Sequence, residues 1–218
     1  MDAHNQDIKT ILQGNRIMAV LVIDDIENAI PLARCLVRGG IFVMELALRT
    51  EASVESMKLI KENVPEMIAG VGTVLNTAQV HQVAPYADFI VTPGCNPKVI
   101  KEANELAIPI APGIATPSDI ETAAELGCRI MKLFPAEPLG GISYLNAINA
   151  PYDHLDIKYI PLGGLNIQNS AAYLQHPKIL GIGGSWIAPR KLIQQQDWNR
   201  IEKNAREAID TLGNEETL

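Results

Sequence analysis

Ile17-Met18-Ala19-Val20-Leu21-Val22-Ile23-Asp24-Asp25 is the stretch that decides between two architectures. The run is apolar until it ends on two acids, as expected of a strand covered on both faces. An open doubly wound sheet would normally follow its first strand with a glycine-rich G-x-G-x-x-G phosphate loop. No such loop follows here. Seven further short apolar runs start near Val43, Met67, Phe89, Ile108, Ile130, Lys158 and Leu180, at intervals of 26, 24, 22, 19, 22, 28 and 22 residues. A period of about 23 residues is one strand plus one crossover helix, the grammar of a parallel sheet. Eight such units predict an α/β fold: a closed (βα)8 TIM barrel. No linker-like or low-complexity segment divides the chain, so residues 1–218 read as one domain, with an additional N-terminal helix over residues 1–14.

The intervening segments carry helix signals. Asp24 or Asp25 caps a helix from about Glu27 to Arg38 that Gly39-Gly40 ends. Thr116-Pro117-Ser118-Asp119 opens another that Gly127 closes, and Asp197 starts the last, through about Ile209. At 218 residues the chain is long enough to bury roughly 70% of its unfolded surface. Eighteen Lys and Arg against 25 Asp and Glu leave a net charge of −7, which argues against broad binding to nucleic acid or anionic lipid. Cys35, Cys95 and Cys128 form neither a disulfide framework nor a zinc knuckle and suit a reducing, cytoplasmic setting. The acidic start Met1–Asp7 does not read as a signal peptide, and the run Ile17–Ile23 is too short to span a bilayer.

In a barrel of this kind, chemistry sits at the C-terminal ends of the strands. Along Val43-Met44-Glu45-Leu46-Ala47-Leu48-Arg49, alternation turns Met44, Leu46 and Leu48 toward the helices, and Glu45 and Arg49 into the lumen. A structural Glu–Arg ion pair is the plain alternative. In Ile130-Met131-Lys132-Leu133-Phe134-Pro135 a lysine stands inside an apolar strand. Taking an amine out of water favours its neutral form, which is what Schiff-base formation requires. A permanent salt bridge to Glu45 would use the same contact, so the strand alone does not separate the two. Thr73 offers a hydroxyl at the rim, while Thr92-Pro93-Gly94 reads as a turn; Phe134 shares the parity of Lys132 and could form an apolar wall, although a core aromatic is the simpler reading.

The last two strands end in paired glycines, Gly163-Gly164 and Gly183-Gly184-Ser185. Loops at these positions of a barrel often bind phosphate through backbone amides. The alternative is two glycine turns that admit close helix packing. His4, His81, His154 and His176 fall in presumed helices and loops, with no metal-ligand spacing and no nucleophile elbow, so no metal or cofactor is expected.

With these motifs in this order, the chain resembles the 2-keto-3-deoxy-6-phosphogluconate (KDPG) and 2-keto-4-hydroxyglutarate (KHG) aldolases, from Ala19-Val20 to the last helix at Asp197-Trp198. The motifs are Glu45-Leu46-Ala47-Leu48-Arg49-Thr50, Gly72-Thr73-Val74-Leu75, Thr92-Pro93-Gly94, Lys132-Leu133-Phe134-Pro135-Ala136-Glu137, Gly163-Gly164 and Gly183-Gly184-Ser185-Trp186. The resemblance implies a Schiff-base lysine at Lys132 and a general acid/base at Glu45. It implies that Arg49 and Thr73 hold the pyruvate-end carboxylate, where an arginine fork suits a planar carboxylate. Pro93 and Phe134 would line the pocket, and Gly163, Gly164, Gly184 and Ser185 would receive the distal phosphate. The substrate is then a keto-acid (phosphate), and the assembly a homotrimer. Leu162 departs from the threonine common at its position, which leaves the phosphogluconate, phosphogalactonate and hydroxyglutarate types of substrate unranked. A phosphate-binding barrel isomerase using Glu45 as base and a barrel that only binds anionic metabolites are the rival readings. Cys95 has no assigned role.

Overall fold

Short apolar runs, most of them followed by a helix, produce nine strand segments among the described residues of the computed structural model. It describes the backbone of residues 3–212 and the side chains of residues 8–212. The strands are β1 (Ile17–Leu21), β2 (Val43–Ala47), β3 (Ile68–Gly72), β4 (Phe89–Val91), β5 (Ile110–Ala111), β6 (Gly113–Ile114), β7 (Ile130–Leu133), β8 (Lys158–Pro161) and β9 (Ile182–Gly184). All ladders are parallel. One curled sheet runs β5-β4-β3-β2-β1-β9 and a second runs β6-β7-β8.

The structure therefore bears out a parallel α/β fold of strand–helix units, but not one continuous eight-stranded ladder. Two local causes account for the gaps. Pro112 has no N–H to donate and splits the expected fifth strand into β5 and β6. Thr92 spans the break: its N–H donates to the Ala111 carbonyl of β5 at 3.3 Å, and its hydroxyl accepts from the Gly113 N–H of β6 at 3.1 Å while donating to the Gly94 carbonyl at 2.8 Å. On the other side, β8 and β9 meet only through the single bridges Tyr159↔Ile179 and Leu162↔Gly183. Leu180 bonds back to the Tyr159 carbonyl at 3.1 Å, so the last strand begins at Ile182 rather than at Leu180.

Strand alternation divides the apolar side chains into two cores. On β2, Met44 and Leu46 join the layer between sheet and helices, while Val43 joins an inner cluster with Met18, Phe89, Ile130 and Ile160. Ile8 and Leu12, from the helix Ala3–Gln13, pack into that inner cluster. The helix Pro117–Glu125 is closed at its N-terminus by a capping box between Thr116 and Asp119, which satisfies backbone N–H groups left open by the first turn. The helix after β1 starts later than its sequence suggests. Ile26–Asn28 form a 3-10 turn capped by the Asp25 carboxylate, and the α-helix covers Ala29–Arg38. Asp24 is not the cap. The final helix, Trp198–Leu212, runs three residues beyond Ile209. Among the described residues no helix is long and apolar enough to cross a membrane. The side chains of Met1–Asp7, including His4, and residues 213–218 lie outside the described residues.

Candidate active site

The parity of β2 directs the Glu45 carboxylate into a cavity of about 480 Å³, and that of β7 directs Lys132 toward the same point. Both residues are nearly sealed from solvent, Glu45 at 2% exposure and Lys132 at 5%. Lys132 Nζ lies 3.1 Å from Glu45 Oε1 and 3.4 Å from Oε2. Glu45 thus pairs with the lysine. Gly72 makes room for the carboxylate, since a Cβ there would stand 2.0 Å from Glu45 Oε1. Phe134, two residues beyond Lys132, places its ring centroid 5.1 Å from Nζ. An aromatic face at that distance attracts a cation.

Arg49 lies just beyond β2, in a turn where its N–H donates to the Ala47 carbonyl. Its Nε faces Thr73 Oγ1 at 3.4 Å. Thr73 adopts φ +61°, a conformation uncommon for a threonine. Thr50 and Ser53 hold the Arg49 loop from below: the Thr50 hydroxyl donates to the Ile23 carbonyl, and the Ser53 hydroxyl to the Ala47 carbonyl at 3.1 Å. Arg49 lines the cavity, whereas Thr73 reaches it through Arg49.

Gly163 and Gly164 both take positive φ, +94° and +84°, and turn the chain sharply after β8. The turn is tied to the end of β7: Ala136 N–H donates to the Leu162 carbonyl at 2.8 Å and Glu137 N–H to the Gly163 carbonyl at 3.0 Å. Gly163, Gly164, Gly184 and Ser185 line the same cavity as Lys132, with the Trp186 ring packed across Gly184. Leu162, 3% exposed, also lines the cavity and presents no hydrogen-bonding group.

Most of the residues singled out from sequence therefore converge on one cavity. Pro93 is not among its lining residues, and its backbone is packed against Gly113 instead. Sequence reasoning missed Val20, Val22, Leu165 and Arg190, all of which line the cavity. For Arg190 the available signal was its place after Pro189 in the loop that leaves the last glycine pair. Among the described residues no group of three or more His, Cys, Asp or Glu side chains is arranged to hold a metal ion. The cavity falls within the size of small-molecule sites. It combines a buried amine, a carboxylate within hydrogen-bond reach of it, and an exposed guanidinium.

Residues 8–204 match the model of the family described as KDPG and KHG aldolase. The chain is 38% identical to the 2-dehydro-3-deoxy-phosphogluconate aldolase of Haemophilus influenzae, over 97% of this chain and 100% of the relative. Among solved structures it resembles the KDPG aldolase of Zymomonas mobilis with 3-phosphoglycerate (35% identity, TM-score 0.88, 95% of this chain and 97% of the other). It also resembles the KDPG aldolase of Legionella pneumophila with pyruvate captured as a covalent carbinolamine (32% identity, TM-score 0.87, 92% and 97%).

Proposed function

The chain belongs to the KDPG and KHG aldolase family, and from that premise we propose that its cavity performs a retro-aldol cleavage through a Schiff base on Lys132. The chain is a carbon–carbon lyase. The substrate is a 2-keto-4-hydroxy acid: KDPG, giving pyruvate and glyceraldehyde 3-phosphate, or KHG, giving pyruvate and glyoxylate. The observation that carries this assignment is the Lys132 amine 3.1 Å from the Glu45 carboxylate in the buried part of the cavity.

Glu45 accepts a proton from the ammonium, and the freed amine attacks the C2 ketone to form a carbinolamine. Glu45 returns that proton to the carbinolamine hydroxyl, which leaves as water, and an iminium remains, drawing electrons toward the adjacent carbon. Glu45 then removes the proton of the C4 hydroxyl. The C3–C4 bond breaks, its electrons pass into the iminium to form an enamine, and the aldehyde departs. Glu45 returns a proton to C3, and hydrolysis of the new iminium releases pyruvate and the amine. General acid–base help of this kind is worth roughly 10²–10⁴-fold. Arg49 and Thr73 hold the carboxylate beside the ketone, the Phe134 ring supports the cationic nitrogen, and the two glycine turns with Ser185 receive the far end of the substrate.

We read the two curled sheets as parts of one closed (βα)8 barrel in a single domain. The Thr92 stitch across Pro112 and the bridges between β8 and β9 support that reading. The three unpaired cysteines are consistent with a cytoplasmic setting. A homotrimer is the expected assembly and is checked by sedimentation. Sodium borohydride with pyruvate, followed by peptide mass analysis, should label Lys132 alone, and pyruvate release should follow addition of KDPG, its galactonate epimer or KHG. No label, or a label elsewhere, overturns the mechanism.

A further inference from the structure

Arg190 has no part in the chemistry just described, yet it lines the same cavity as Lys132 and the glycine turns. Its guanidinium clasps Asp24, with Nε donating to Oδ2 at 2.9 Å and Nη2 to Oδ1 at 2.5 Å. Gln194, one helical turn further along the short helix Arg190–Gln194, donates to the same Asp24 Oδ2 at 2.8 Å. A spacing of four residues puts Arg190 and Gln194 on one face, so both reach the acid at the end of the first strand. Asp24 itself does not line the cavity. The Arg190 bond, aided by Gln194, holds its carboxyl below the usual range, so the pair stays ionised.

The charge arrangement around the cavity gives this clasp a use. Its lining residues include three cations, Arg49, Lys132 and Arg190, and one anion, Glu45. Glu45 is matched by Lys132 and Arg49 serves the keto-acid end, which leaves Arg190 as the third cation of a lining that also carries Ser185 and the paired glycines. The bond to Asp24 engages Nε and Nη2 and leaves the two Nη1 hydrogens outside that contact. Leu162, Val20 and Val22 add only apolar surface. Resting on the aldolase reading above, we infer that Arg190, oriented by Asp24 and Gln194, binds the distal anion of the substrate and makes the site prefer a phosphorylated tail to an uncharged or carboxylate one. Asp24 and Gln194 act as positioning residues, because Asp24 holds one edge of the guanidinium and Gln194 holds Asp24.

The test compares wild type, Arg190→Gln, Arg190→Lys and Asp24→Asn in the full chain on KDPG and on the same six-carbon keto acid without its phosphate. Arg190→Gln should lower kcat/KM for the phosphorylated substrate about 10–100-fold, mainly through KM, the range for losing one charged hydrogen bond. Turnover of the unphosphorylated acid should fall much less. Inhibition by inorganic phosphate should weaken in parallel. Arg190→Lys should recover part of the loss, and Asp24→Asn should raise KM for the phosphorylated substrate while leaving kcat in place. Equal losses on both substrates, accompanied by a lower Tm, would make the clasp a structural staple and overturn the inference; so would no loss on either. Borohydride trapping of pyruvate on wild type is read separately. Its failure would remove the aldolase mechanism, whereas a normal adduct with no phosphate discrimination at Arg190 would remove only this inference.

Discussion

Replacing Gly72 by alanine isolates the position of one carboxylate from the rest of the site. The new Cβ would stand 2.0 Å from Glu45 Oε1 and 2.6 Å from both Cδ and Cγ. Ordinary contact begins near 3.5 Å, so the carboxylate must retreat by more than 1 Å. Three consecutive atoms of the side chain collide at once, so a new rotamer, rather than a slight tilt, is required. The 3.1 Å contact with Lys132 Nζ is then lost. An added methylene in a packed interior costs about 1–3 kcal/mol. At about 2–4 °C per kcal/mol for a chain of this size, the variant should remain folded with a modestly lower Tm. Activity should suffer far more. A displacement of about 1 Å at a reacting group costs on the order of 10²-fold, and complete loss of the acid–base group up to about 10⁴-fold. We expect kcat for pyruvate release to fall into that interval, measured by steady-state kinetics. Because Gly72→Ala and Glu45→Gln remove the same function, the double variant should be little worse than Glu45→Gln alone. A folded Gly72→Ala enzyme that keeps nearly full kcat, or a double variant whose losses multiply, would refute the assignment of Glu45 as the proton carrier.

Three further outcomes concern groups outside the cavity. His176 accepts a bond at Nδ1 from the Lys178 N–H at 3.2 Å, so its Nε2 carries the hydrogen that faces Asn146 Oδ1 at 2.8 Å. Burial, helped by the Lys178 charge, lowers its pKa below 6.5. A base with a depressed folded pKa contributes stability that is complete above the unfolded value and is lost as the pH falls through the folded one. Below about pH 6.5 the wild-type Tm should therefore drop more steeply than that of His176→Gln, and parallel curves would count against the account. Burial pushes the Cys95 thiol up to about 11, with the Asp119 carboxylate adding to the effect. Thiol rather than thiolate predominates at neutral pH, so alkylation by iodoacetamide should be slow. Cys95→Ser should leave turnover unchanged; a large loss would give that cysteine a role in the reaction.

The strand rhythm was legible because each strand buries both faces and so reads as a continuous apolar run. The same burial made parity on β2 decisive, since a glutamate among Val43, Met44 and Leu46 can face only the cavity or an apolar layer. What alternation does not encode is where a ladder breaks. Pro112 reads as one residue of an Ala-Pro-Gly turn, yet it splits a strand whose halves are both held by Thr92, one by its N–H and the other by its hydroxyl. Capping shows a similar limit. Asp24 and Asp25 are equivalent as helix caps in sequence, and only the distant Arg190 distinguishes the one that caps from the one that clasps. The place of Arg190 after the last glycine pair was a weak signal, because its meaning depends on a contact 166 residues away along the chain. Pro93, expected at the pocket wall, is instead used in packing the backbone against Gly113.

The helix Ala3–Gln13 has a kinetic corollary. With Ile8 and Leu12 packed into the inner apolar cluster, the barrel proposed above is filled at that end, and substrate would enter the Lys132 cavity by the doorway at the end that carries the glycine turns. Reactants and products must then queue through that doorway. The aldehyde half stands nearer to it, while the pyruvate half is tethered to Lys132 behind, so the aldehyde leaves first and pyruvate last. In the synthetic direction the order reverses, and excess aldehyde arriving before pyruvate would block the way in.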